Sequence, residues 1–112
     1  VIILDATTKT LEVILNGAVT TNQLDYHVDF VDLDASFVIS TASESDGTSN
    51  NGTAVTMLAA PAANHTRQVK FLTVYNKDTV AAVVTVRINN NGTFRNLVKT
   101  TLAVGDTLQY AA

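Results

Sequence analysis

A chain of 112 residues that is 46% hydrophobic carries enough apolar side chain for one core, yet a domain of this size buries only about two-thirds of its unfolded surface, so contact with other subunits would add what a lone core lacks. The absence of cysteine excludes disulfide scaffolds, thiolate metal sites and cysteine nucleophiles. A net charge of −3 with only seven Lys and Arg is the wrong balance for gripping a phosphate backbone, and no apolar run approaches the roughly 20 residues of a membrane span, so neither nucleic acid nor membrane is expected as a partner.

Thr and Val abound, and Asp, Asn and Gly gather in short clusters between apolar runs, which is the composition of strands joined by tight turns. Val1 to Ala6 reads as an apolar strand, too short and uncharged at its start for a signal peptide. Lys9 to Leu15 alternates, with Leu11, Val13 and Leu15 on one face, and Asn16-Gly17 ends it with turn chemistry. Ala18 to Gln23 suits either a single helical turn capped by Thr20 or Thr21, or an irregular link. From Gln23 to Asp34 the alternation is clearest: Leu24, Tyr26, Val28 and Phe30 share one face, and Asp25, His27 and Asp29 the other.

Beyond Phe37-Val38-Ile39, the run Ser40 to Thr53 is polar, small and glycine-containing, and reads as a flexible surface loop. Ala54 to Ala60 is a short strand closed by Pro61, the only proline, and the rest is a meander. In its first strand, Gln68 to Tyr75, Val69, Phe71, Thr73 and Tyr75 are expected on one face and Lys70, Leu72 and Val74 on the other. Asn76-Lys77-Asp78 turns into Val80 to Ile88, which is apolar on both faces. Asn89-Asn90-Asn91-Gly92 is a hairpin signal that returns Thr93 to Lys99 antiparallel, and Val104-Gly105-Asp106 turns into Leu108 and Tyr110. About eight short strands with turns between them predict one all-β domain over residues 1–112, an antiparallel β-sandwich of jelly-roll-like winding.

Asp25, His27 and Asp29 are the candidate metal ligands, since residues two apart on a strand project together, although a solvated strand face accounts for them equally well. Glu44, Asp46 and Asn50 fail the calcium-loop pattern, and no G-x-S-x-G elbow or glycine-rich phosphate loop is present. No catalytic residue and no cofactor is therefore assigned. Tyr26, Tyr75 and Tyr110 are few platforms for a sugar in a chain without tryptophan. Val1, Ile2, Ile3 and Leu4 are the interface candidates, able either to extend to a neighbouring subunit as an added strand or to pair in their own sheet.

The stretches IILDATTKTLEVIL followed by VTTNQL, TAVTMLAAPAANHTRQVKFLTVYNKDTVAAVVTVRI, and LVKTTLAVGDTLQY resemble the small Thr/Val-rich β-sandwich virion proteins of tailed bacteriophages. Relatives in that group often carry Pro-Gly in the last turn, where this chain has Val104-Gly105. The resemblance implies a structural role on the outer capsid surface, as a decoration or cement protein whose homotrimers bridge subunits of the major capsid protein. Next to it stands a tail, adaptor or fibre component, and outside the virion a carbohydrate-binding β-sandwich module.

Overall fold

The computed structural model describes residues 1–112 and contains nine strands and no helix. They are β1 (Ile2–Leu4), β2 (Lys9–Leu15), β3 (Asp25–Leu33), β4 (Ile39–Thr48), β5 (Val55–Leu58), β6 (Thr66–Tyr75), β7 (Ala82–Asn90), β8 (Thr93–Leu102) and β9 (Thr107–Ala111). The front sheet is ordered β1-β6-β3-β4, with β9 sharing the same side of β6 as β1, and the back sheet is ordered β5-β2-β7-β8. Every strand pair is antiparallel. Only β3–β4 and β7–β8 connect within a sheet. All other links cross between sheets, so the chain winds around its core in jelly-roll fashion.

The core forms where the inward sides of both sheets meet. Leu4, Tyr26, Val28, Val69, Leu72 and Val74 come from the front, and Leu11, Val13, Leu15, Met57, Leu58, Val84, Val86 and Leu102 from the back. Each fully buried aliphatic side chain contributes about 1.5–3 kcal/mol over its exposed form. The alternation expected in β2 and in the first half of β3 is thus the alternation that folds. The β7–β8 turn has Asn91 at φ 52° and Gly92 at φ 91°, the two successive left-handed residues of a primed hairpin turn. Ala18 to Gln23 is an irregular link.

Two expectations change. The segment Ser40 to Thr53, expected as a flexible loop, is a strand through Thr48, paired with β3 from Asp25↔Thr48 to Leu33↔Ile39. The side chains of β4 lie at or near the surface, and only Ser49 just past it is buried. The segment orders without apolar burial because an edge strand is held by the ladder to its neighbour, and small Ser, Thr and Ala side chains fit the pleat.

In β6, Val69 does not share a face with Phe71, Thr73 and Tyr75, because Asp29 pairs with Phe71 while Phe30 pairs with Val69. Lys70 is the extra residue of a β-bulge, and past it the inward positions are Leu72 and Val74.

Candidate functional site

On the outer face of the front sheet, β3 presents Asp25, His27 and Asp29, and β4 lies directly alongside with His27↔Asp46 and Asp29↔Glu44 as cross-strand pairs. His27 Nε2 is 2.7 Å from Asp29 Oδ1, and its Nδ1 is 3.5 Å from Glu44 Oε2. Whichever ring nitrogen carries hydrogen therefore faces a carboxylate. Asp25 is drawn away by Lys77, 2.9 Å distant. Of the three residues expected from sequence, His27 and Asp29 touch, but the donors that converge within 4.8 Å of one another are His27, Glu44 and Asp46, so only His27 of the expected set is among them.

Those last two belong to the segment expected as a loop, so only the β3–β4 pairing reveals them. Calcium takes six to eight oxygens from a loop that wraps it, and structural zinc takes four ligands in a tetrahedron. Two adjacent extended strands supply ligands from one side only. The group is shaped as a cross-strand polar patch.

The amino-terminal candidates lie in the molecule's own sheet. Ile2 pairs with Val69 and Leu4 with Arg67, Leu4 is fully buried, and Val1 and Ile3 point outward at 56% and 43% exposure. On the same side of β6, β9 continues the edge, with Ala112 N–H donating to Lys70 O at 2.9 Å. Between this edge and β8 the two sheets part, leaving an apolar cleft of about 330 Å³ lined by Ile2, Leu72, Val86, Leu97, Leu108 and Tyr110.

A polar pocket, also of about 330 Å³, lies at one end of the sandwich among Asp5, Asp34, Phe37, Asn64 and His65. Behind it His65 Nδ1 is buried 3.6 Å from Asp32 Oδ1, and neither atom has a hydrogen-bond partner. Its rim is the tip of the β3–β4 hairpin, where Phe37, Val38 and Ile39 are 75%, 58% and 59% exposed. Phe37 has φ 60° and Asn64 φ 63°. That backbone region is uncommon for a bulky side chain.

Buried polar groups that the sequence marks only as a turn hold the opposite end together. Asp78 accepts backbone N–H groups of Thr20, Asn22, Thr21 and Thr79, which hold its carboxyl down to about 2 against the opposing effect of burial. Fully buried Asn76 receives the Asp78 N–H on Oδ1 and donates through Nδ2 to Val80 O and Leu102 O. The Asn-x-Asp spacing in a turn is the one sequence signal for this arrangement. On the back sheet Glu12 is 7% exposed although it points outward. Arg87 Nε (3.0 Å) and Asn89 Nδ2 (3.1 Å) donate to it, and the Arg87 guanidinium covers the Phe94 ring at 3.8 Å.

Comparison with known protein families, with curated proteins and with solved structures yields no match to this chain.

Proposed function

We propose that this chain is a structural subunit of a phage particle, a capsid decoration or cement protein that acts by packing against copies of itself and against the major capsid protein, without catalysis or cofactor. The observation that supports the reading best is the apolar surface left open on a small sandwich. The hairpin tip Phe37-Val38-Ile39 and the cleft beside β8 are both uncovered, and exposed apolar groups of this kind mark contact surfaces. The resemblance in sequence style supports the particle as the setting. Quantitative mass spectrometry of purified particles, separated into heads and tails, tests it. The chain is expected in the head fraction at a stoichiometry comparable to the major capsid protein. A few copies in the tail fraction make it a tail or fibre component, and absence from both overturns the reading.

A second reading, a carbohydrate-binding module, is favoured by the exposed Phe37 ring beside Asp5, Asp34 and Asn64 in the end pocket. An aromatic face with carboxylate and amide neighbours is the chemistry that holds a sugar ring. Of the three tyrosines, few as platforms to begin with, Tyr26 is buried and Tyr110 lines the apolar cleft. A glycan array without a hit removes this reading.

A further inference from the structure

Three departures from ordinary folding rules meet at one end of the sandwich, around the polar pocket. The first is backbone strain. Asp34 O accepts the Phe37 N–H at 2.9 Å and Asp34 N–H donates to Val38 O at 3.0 Å, so Ala35, Ser36 and Phe37 form a three-residue hairpin loop whose last position is left-handed and normally belongs to glycine. Phe37 occupies it at φ 60°. The second is exposure: the ring carried on this backbone is 75% exposed, so its burial does not offset the strain. The third is the pair His65 Nδ1 and Asp32 Oδ1 in the wall behind, both buried and unpaired, where almost all buried polar atoms have partners. Such departures gather at sites kept for something other than stability.

The pocket is also held ready. Residues 5–7, 34–37 and 62–66 form it, and each segment is closed by its own backbone hydrogen bond: Lys9 N–H to Ala6 O, Phe37 N–H to Asp34 O, and His65 N–H to Ala62 O. Asp34 uses Oδ1 for the N–H groups of Ser36 and Val38, which fixes the carboxylate and leaves Oδ2 as an acceptor for a ligand. Asn64, left-handed at φ 63° and exposed, brings both an amide donor and an acceptor to the rim. Of the tip residues Phe37, Val38 and Ile39, only Phe37 lines the pocket. No Lys or Arg lines it, and Lys9, at the start of β2, is paired with Asp5 at 2.6 Å. The volume of about 330 Å³ is at the small end for ligand pockets, which suits a single ring.

We propose that this pocket binds a sugar ring without acidic groups, its C–H face stacked on Phe37 and its hydroxyls held by Asp34 Oδ2 and the Asn64 amide. A pyranose offers both halves of the match. Its C–H bonds, weakly positive, meet the negative face of an aromatic ring, and its hydroxyls donate to a carboxylate and accept from an amide. Acidic sugars are opposed by the charge of Asp34, with Asp32 behind it, in a pocket lined by neither Lys nor Arg. The inference rests on the reading of the chain as a carbohydrate-binding module, and adds to it the holding residues and the class of sugar.

The test is a glycan array probed with the labelled intact protein, followed by titration of the strongest-binding glycan against Phe37→Asn, Phe37→Tyr and Asn64→Gly. Hits are expected among glycans ending in neutral hexoses or N-acetylhexosamines, and not among those ending in sialic or uronic acids. Phe37→Asn is expected to lose at least about tenfold in affinity, while its denaturant midpoint stays or rises because Asn accepts the left-handed backbone. Phe37→Tyr keeps the ring and is expected to stay within about threefold of the wild type. Asn64→Gly keeps the backbone and removes the amide, with an expected loss of about three- to tenfold. An array without a hit removes the module reading and this site with it. Hits that none of the variants weakens overturn the site and leave the module reading standing, whereas a preference for acidic sugars overturns the class of ligand. A Phe37→Asn protein that unfolds more easily makes the ring a structural group, and that too overturns the assignment.

Discussion

Asp78 shows how much of this fold hangs on single polar side chains at chain crossings. Four backbone N–H groups stabilise its charged form, so the stability it supplies is complete above its ordinary value of 3.8 and is lost as the pH falls toward about 2. Thermal melts of the wild type between pH 4 and pH 2 are expected to fall progressively. Asp78→Asn is expected to melt lower at neutral pH and to lose less across that acid window. Gly47 is a second such point: a Cβ there would stand 2.8 Å from Tyr26 Oη. Gly47→Ala must displace the Tyr26 ring and its 3.3 Å hydrogen bond to Thr56 O, at a cost of about 1–3 kcal/mol measurable by denaturant unfolding. The hydroxyl of Tyr26, whose pKa burial raises, is expected to titrate above 10 in a spectrophotometric titration of the folded protein.

At the scale of elements, the pair Leu4 and Ile3 separates a strand that belongs to its own sheet from an arm reaching outward. Leu4→Ala is expected to cost about 2–5 kcal/mol, as large-to-small core changes do, while Ile3→Ala, on the exposed side of the same strand, stays within about 0.5 kcal/mol. Comparable losses at the two positions in chemical denaturation would contradict the β1–β6 pairing. Strands with one buried face were legible in advance because alternation is their packing: Leu11, Val13 and Leu15 in β2, and Leu24, Tyr26 and Val28 leading through β3, lie in the core where the pattern places them. The Asn91-Gly92 turn was legible because few residues accept its backbone angles.

What could not be read was whatever depends on a neighbour rather than on the strand itself. Edge strand β4 buries almost nothing, so its composition matches that of a loop. The bulge at Lys70 shows only in the register between β3 and β6. The polar group on the front sheet combines His27 and Asp29, which alternation put on one face, with Glu44 and Asp46, which only that pairing supplies.

For the molecule as a whole, two sheets close over one core while opposite flanks stay unfinished, one acidic and one basic, each ending in an unpaired strand and accompanied by uncovered apolar side chains. A monomer built for isolation covers or blunts such edges. Here the charges oppose pairing of each edge with its like, and the uncovered apolar side chains are what the proposed role as a packing subunit would use. The measurement that tests this most directly is the mass of the purified protein by sedimentation equilibrium over a range of concentrations at low salt. Association into a discrete oligomer is the predicted result, and a monomer at every concentration would contradict it.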